Sequence, residues 1–217
     1  MRYRNRSDAG HALAEAIEAE GLISRDTRPL ILGIPRGGVP VAAVIADRIG
    51  GDLDVLVARK LGAPGNPEYA IGAVAEDGTV ILDDAIVERL GISAPYVETE
   101  RRRQRAAVQQ RAHELRGDRP PMSTVSRLCV VVDDGVATGS TLEVALSLVA
   151  RSGADQIIAA IPVGPPETIR RLGAVIDAVV CPLQPPTFFA VGTWYDDFSQ
   201  VSEETVIATL DRFRRAG

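Results

Sequence analysis

Apolar and polar positions alternate along this chain in a way that predicts helices between short buried strands. In the first segment, residues 7–20, apolar residues recur every four positions, which is typical of an amphipathic helix. Residues 29–35, "PLILGIP", form instead a continuous apolar run that is typical of a strand buried on both faces. Residues 39–49 then return to helical spacing and end at two glycines, which favour helix termination.

The same alternation continues to the end of the chain. We predict further strands at 53–58, 127–133, 156–162 and 174–181, and helices at 83–90, 94–116, 140–151, 167–172 and after residue 200. Residues 71–82 carry Asp-Gly between two apolar runs and predict a hairpin, whereas the Gly- and Pro-rich residues 59–70 predict a loop.

Strand–helix alternation predicts an α/β fold, a Rossmann-like open parallel β-sheet with helices on both faces. A β-hairpin with a flexible loop and a small hood from C-terminal segments complete the predicted architecture. We expect one domain over residues 1–217, with a core at about 28–182 and the hood at about 183–217. Ligands of such sheets bind at the carboxyl ends of the strands, so the loops after Pro35, Ala58 and Asp133 should meet.

Charge and cysteine content narrow the class of protein. The chain of 217 residues is 46% hydrophobic and has a net charge of −5, which argues against a general nucleic-acid-binding surface. The Arg-rich helix at 94–116 predicts a solvated face paired with Glu98 and Glu100, with a phosphate or nucleic-acid patch as the alternative. Cys129 and Cys181 lie in apolar runs and predict buried reduced thiols, with a disulfide or metal site as the alternative.

The apolar runs do not predict a membrane protein. None reaches the ~18 residues that span a bilayer, and no charged segment followed by an apolar stretch opens the sequence. With reduced cysteines, this pattern leads us to expect a cytoplasmic protein.

The most informative segment is "VVVDDGVATGST", where an apolar strand ends in Asp133 and Asp134. The loop that follows leads into a helix, and free N–H groups at a helix N-terminus suit a phosphate. The two carboxylates suit sugar hydroxyls or a hard cation such as Mg²⁺. A ligand with a phosphate at one end and a vicinal diol at the other satisfies both halves, and the alternative is an acidic turn before an ordinary helix cap.

This segment resembles the signature of the type I phosphoribosyltransferases, which bind 5-phosphoribosyl-1-diphosphate (PRPP). The resemblance implies that Asp133 and Asp134 bind the ribose hydroxyls, with Mg²⁺ at Asp134. It also implies that a loop wraps the 5′-phosphate, formed by Ala137, Thr138, Gly139, Ser140 and Thr141. The similarity extends from about Leu30 to Asp197 and is strongest to bacterial phosphoribosyltransferases of unassigned acceptor.

Two further segments fit the same family. "GIPRGG" stands where relatives place a diphosphate loop, so the resemblance implies that Arg36 and Gly37 bind diphosphate beside a cis Pro35–Arg36 bond. Arg59 and Lys60 follow a strand and would face the diphosphate, ahead of a mobile lid in the 59–70 loop. The alternatives are an ordinary turn with a surface arginine and, for Lys60, a surface charge.

The C-terminal "FFAVGTWYDD" is similar to the segment that closes the base site in hypoxanthine-guanine phosphoribosyltransferases. The resemblance implies that Phe189 stacks on the base, that Val191 and Trp194 help form the base site, and that Asp196 reaches the metal. The alternative is a hydrophobic strand with Trp194 and Tyr195 in the core. The chain departs from that family at Ala137, where those enzymes carry an acidic residue.

The residues together predict a Mg²⁺-dependent transfer of the phosphoribosyl group of PRPP to a nitrogenous base, in nucleotide salvage or synthesis. Asp133, Asp134, Arg36 and Lys60 are the predicted catalytic residues. The first alternative is a PRPP-binding regulatory protein without catalysis, and the second is a phosphate-binding hydrolase or synthase. The family resemblance also implies a homodimer, while the acceptor base stays unassigned.

Overall fold

The computed structural model describes residues 2–24 and 26–215. Its helices are α1 Arg6–Ala19, α2 Gly38–Ile49, α3 Asp84–Arg89, α4 Ala94–Arg116, α5 Ser140–Arg151, α6 Pro166–Gly173 and α7 Glu203–Arg215. Its strands are β1 Leu30–Gly33, β2 Asp52–Val55, β3 Ala58–Ala63, β4 Asn66–Ala75, β5 Val80–Leu82, β6 Leu128–Val132, β7 Gln156–Ala160 and β8 Ala178–Val180.

Five strands form a parallel sheet in the order β2-β1-β6-β7-β8. Because successive side chains of a strand point to opposite faces, the apolar strands supply two separate cores. Ile31 and Val130 pack on one face with α1, α2, α4 and α7, whereas Leu30 and Val131 pack on the other with α5 and α6. The predicted open parallel sheet with helices on both faces is therefore confirmed.

The prediction of a loop at residues 59–70 is wrong. These residues form β3 and the start of β4, which pair antiparallel, and β5 adds a third strand. The buried side chains Leu61 and Ile71 belong to the core beneath the larger sheet, and this burial stabilises strands where glycine and proline predicted a loop. Glycine does mark a turn at one position, since Gly65 adopts φ 74 between β3 and β4.

Several predicted element ends also shift. The strand predicted at 53–58 ends at Val55, and the strand predicted at 174–181 is limited to β8. Just before β8, the Asp177 side chain accepts a hydrogen bond from the Ile157 N–H at 2.7 Å. Asn5 rather than Ser7 caps α1, its side chain accepting from the Asp8 N–H at 3.0 Å. The bounds of α4 and α5 match the predicted ones, and Glu98 and Glu100 pair with neighbouring arginines of α4.

The hood pairs with residues near the start of the described chain. A 3₁₀ helix at Val191–Trp194 replaces the strand considered for this segment. Tyr3 donates its N–H to the Trp194 carbonyl at 2.9 Å and accepts the Asp196 N–H at 2.8 Å. Residues near the N-terminus thus hold the hood in place, a pairing that sequence periodicity did not predict.

Both cysteines are buried free thiols, as predicted. In the described ranges, the model has no helix that is both long enough and apolar enough to cross a membrane.

Candidate functional site

Asp133 and Asp134 stand at the carboxyl edge of the parallel sheet, directly after β6. The Asp134 N–H donates to Oδ1 of Asp133 at 2.9 Å, so the two residues form one compact turn. Burial raises the pKa of Asp133, and the negative charge of Asp134 raises it further. A bound cation or hydroxyl donor would relieve this repulsion, which makes the pair a site for such groups.

The loop after β1 lies directly on this pair. A Cβ built at Gly37 would come within 1.9 Å of Asp134 Oδ2, and one at Gly38 within 2.4 Å of the Val132 carbonyl oxygen. Only glycine lets the two backbones approach this closely. The Pro35–Arg36 peptide bond is cis, as the resemblance implied. The predicted meeting of the β1 and β6 loops is therefore confirmed, and Arg36 lines a recess of about 300 Å³ beside residues 200–204.

The loop before α5 has two carbonyl groups that accept hydrogen bonds from α6. Thr168 Oγ1 donates to the Ala137 carbonyl at 2.9 Å, and Arg171 donates to the Thr138 carbonyl, both from α6. Because a trans peptide points its C=O and N–H in opposite directions, the N–H groups of Thr138 and Gly139 point away from α6. Gly139 caps α5 with φ 75, and no side chain in the described part of the chain caps that helix. This arrangement suits a bound phosphate.

Lys60 and Arg59 lie on different faces of β3. Lys60 Nζ donates to Ser140 Oγ at 2.8 Å, which adds a cation to the first turn of α5. Arg59 Nη1 instead approaches Gln104 Oε1 of α4 at 3.4 Å. Successive strand residues point in opposite directions, so the structure brings only Lys60 to the loop. Thr141 is exposed on the same first turn, and Lys60, Thr138 and Ser140 also border a cleft of about 900 Å³ that continues along β4 and β5.

The predicted base-binding residues of the hood have different surroundings. Phe189 is 86% exposed, so its ring is available for stacking. Trp194 packs on Phe188 with ring centroids 6.4 Å apart, and its Nε1 is buried with no hydrogen-bond partner among the described residues. Val191 packs on Gly135, where a Cβ would come within 2.4 Å of Val191 Cγ1.

Asp196 is the second predicted metal ligand, in addition to Asp134. It is exposed and faces Arg2, whose Nε lies 3.7 Å from Oδ1. Within residues 2–24 and 26–215, no three His, Cys, Asp or Glu side chains come together as a metal site. Two adjacent carboxylates still fit Mg²⁺, which commonly takes one or two protein carboxylates and completes its shell with substrate oxygens and water.

Two residues at this site had no sequence signal. Arg6, the first residue of α1, donates Nε–H to Asp134 Oδ2 at 2.8 Å. Tyr195 donates its hydroxyl to the Asp134 carbonyl at 2.6 Å, and its ring stacks on Phe198 at 4.9 Å. Both contacts join residues far apart in the chain, and although Tyr195 lies in the segment "FFAVGTWYDD", no spacing rule connects either residue with Asp134.

Comparison with known proteins agrees with this geometry. The family model described as a phosphoribosyl transferase domain matches residues 6–197. The chain is 40% identical over 214 residues to "Putative phosphoribosyl transferase Rv0571c" of Mycobacterium tuberculosis strain H37Rv, covering 98% of this chain and 47% of that protein. A protein with the same match in strain CDC 1551 is named "Putative phosphoribosyl transferase MT0597". The chain thus spans about half the length of these curated relatives.

Among solved structures, TT1426 from Thermus thermophilus is 45% identical, with a TM-score of 0.89 and coverage of 98% of this chain and 99% of that one. The phosphoribosyl transferase domain model covers most of the chain, and the relatives at 40% identity cover 98% of it. This chain belongs to that family.

Proposed function

We propose that this protein is a Mg²⁺-dependent phosphoribosyltransferase that moves the 5-phosphoribosyl group of PRPP to a nitrogenous base and releases diphosphate. The observation that carries the proposal is that the Asp133–Asp134 pair lies against the glycine loop at Gly37 and leads, through residues 135–139, into the cationic first turn of α5 formed by Lys60 and Ser140. Those elements match the diol, the diphosphate and the 5′-phosphate of one ligand.

In this assignment the 5′-phosphate lies at the N-terminus of α5. The N–H groups of Thr138 and Gly139 and the ammonium group of Lys60 bind its oxygens. The ribose diol donates hydrogen bonds to the carboxylates of Asp133 and Asp134, and Arg36 and Gly37 hold the diphosphate. This placement moves Lys60 from the predicted diphosphate role to the 5′-phosphate, because its hydrogen-bond partner is Ser140.

Transfer forms a bond between the acceptor nitrogen and C1 of the ribose as the bond from C1 to the diphosphate oxygen breaks. The bonding electron pair leaves with diphosphate, and a proton on the acceptor nitrogen, where the base carries one, passes to solvent. Mg²⁺, when bound, supplies positive charge to the diphosphate oxygens. The protein positions the ribose through its two carboxylates and offers fixed positive charge through Arg36, so positioning and electrostatics provide the catalysis.

The acceptor is a planar base in this proposal. The exposed ring of Phe189 offers a stacking surface, and Val191 lies next to the Asp133–Asp134 turn through Gly135. Ala137 is exposed where 6-oxopurine enzymes carry an acidic residue, so a base that needs no acid or base at that position is the better match.

The experiment is a turnover assay with PRPP, Mg²⁺ and a panel of purine, pyrimidine and pyridine bases. Formation of a nucleotide with stoichiometric diphosphate supports the proposal. Release of diphosphate without any acceptor would favour a hydrolase instead.

Ala137 also favours a second candidate, a PRPP-binding regulator without catalysis. In that case PRPP would bind with Mg²⁺, yet no base in the panel would yield a nucleotide. The predicted homodimer, cytoplasmic location and salvage role, and the metal contact of Asp196, stay predictions.

A further inference from the structure

Arg6 forms a direct hydrogen bond with the carboxylate pair, and neither the motif nor the family resemblance assigned it a role. Its Nε donates to Asp134 Oδ2 at 2.8 Å, and the two side chains are only 13% and 15% exposed. A guanidinium–carboxylate hydrogen bond with this little solvent is among the stronger polar contacts in proteins.

The guanidinium group of Arg6 is fixed from other directions as well. Nη1 donates to the Ser199 carbonyl at 2.8 Å, and the group lies 4.1 Å above the ring of Phe198. Phe198 in turn stacks on Tyr195, whose hydroxyl donates to the Asp134 carbonyl. Arg6 thus joins the start of α1, the hood and the carboxylate pair through contacts that restrict its rotation.

Asp134 is restricted by the same arrangement. Its Oδ2 lies between Arg6 and the backbone of Gly37, where a Cβ would come within 1.9 Å. We propose that Arg6 is a positioning residue: it takes Oδ2 of Asp134, neutralises part of the paired negative charge, and leaves Oδ1 to bind the ribose hydroxyl and Mg²⁺ of PRPP. This inference rests on the proposed function, because it assigns a role toward the same ligand.

The alternative role is that the Arg6 side chain occupies the place of the divalent cation and must move away before PRPP binds. The two roles predict opposite signs for the same change. Loss of a positioning residue weakens PRPP binding, since Asp134 becomes free to rotate and faces Asp133 with full charge. Loss of a competing cation strengthens PRPP binding.

The test is isothermal titration calorimetry of PRPP with Mg²⁺ on the wild type, Arg6→Met and Arg6→Lys, each well below its melting temperature. We expect Arg6→Met to raise the Kd by about tenfold or more. Arg6→Lys should fall between, because lysine keeps the charge but not the fork that reaches two partners. The control is Arg4→Met, which removes an exposed arginine paired with Asp8 from the same segment and should leave the Kd unchanged.

Inorganic phosphate, used as a second ligand, distinguishes a specific loss of PRPP binding from a general structural defect. Phosphate has no diol and does not need the Asp133–Asp134 pair, so its stabilisation of the protein in thermal melts should be equal in the wild type and Arg6→Met. Equal or tighter PRPP binding by Arg6→Met overturns the inference while the proposed function stands. If Arg6→Met does not fold, equal or tighter binding by Arg6→Lys has the same meaning. A wild type that does not bind PRPP overturns the inference and the proposed function together.

Discussion

The phosphate loop and the hood both adjoin Asp134, yet they are stabilised in different ways. The loop is held by Thr168 and Arg171, through contacts that span 31 and 33 residues of the chain. The hood is held by Tyr3 and Arg6, which reach it from the other end of the chain. The phosphate half of the site is therefore local in sequence, one segment at residues 133–141 that α6 holds, whereas the base half is held by residues from the opposite end of the chain.

The largest effect should come from Gly37, where the loop after β1 is crowded against Asp134. Gly37→Ala places a Cβ 1.9 Å from Asp134 Oδ2, so Asp134 or the loop must move. We expect PRPP affinity to fall by about 10- to 100-fold, the loss of one or two hydrogen bonds to a charged group. Calorimetry measures this change. Gly173→Ala is the control, because its Cβ would meet no atom closer than 3.7 Å, and an unchanged Kd for Gly37→Ala would contradict the close approach.

The second largest effect should distinguish the two adjacent cations of β3, Lys60 and Arg59. Lys60→Met should weaken PRPP binding by about tenfold, because the α5 turn loses its ammonium group. Arg59→Met should change it far less, since Arg59 faces Gln104 on α4. The measurement is the Kd of PRPP for the two variants side by side. Equal losses would mean that both cations face the ligand, as first predicted from the sequence.

A smaller effect should appear in the hood at Phe189. Phe189→Ala removes an exposed ring, so the free energy of unfolding should change by less than about 0.5 kcal/mol. The KM for the accepted base should nevertheless rise by roughly fivefold or more, the lower end of base stacking on an aromatic ring. Phe188→Leu is the matched control: it disturbs the packing on Trp194, so it should lower stability and leave that KM nearly unchanged. A KM unaffected by Phe189→Ala would remove the ring from the base site.

The smallest effect concerns the two thiols, one before each half of the site. Burial raises the pKa of Cys129 to about 11 and that of Cys181 to about 12. A raised thiol pKa disfavours the thiolate in the folded state. The free energy of unfolding therefore keeps its full thiol contribution below pH 9 and loses it as the pH rises toward 11 and 12. A colorimetric thiol reagent at about pH 8 should react slowly with the folded protein and rapidly after denaturation. Cys181 should react before Cys129, because it is 9% rather than 0% exposed and lies beside the hood.

The sequence predicted the local half of the site because its residues are neighbours in the chain. The apolar run before Asp133 and the small residues before α5 each carry a physical meaning at short range, and the observed bounds of α5 equal the predicted ones. The error at residues 59–70 has the opposite origin. Glycine and proline indicated a loop, but burial of Leu61 against distant helices stabilised a strand.

Arg6 and Tyr195 show why the remaining part of the site could not be predicted from the sequence. Each binds Asp134 through a contact that spans 128 and 61 residues, respectively. No periodicity or spacing rule connects positions so far apart, and only the folded structure brings them together.

The measurement that tests the central claim most directly is calorimetric titration of PRPP with Mg²⁺ into the wild type and the double variant Asp133→Asn plus Asp134→Asn. We predict binding to the wild type and a loss of about 100-fold or more in the variant, because two charged acceptors for the diol and the cation are removed. Asp118→Asn, at a fully exposed side chain, is the control and should bind as the wild type does. Unchanged PRPP affinity in the double variant would contradict the assignment of the site.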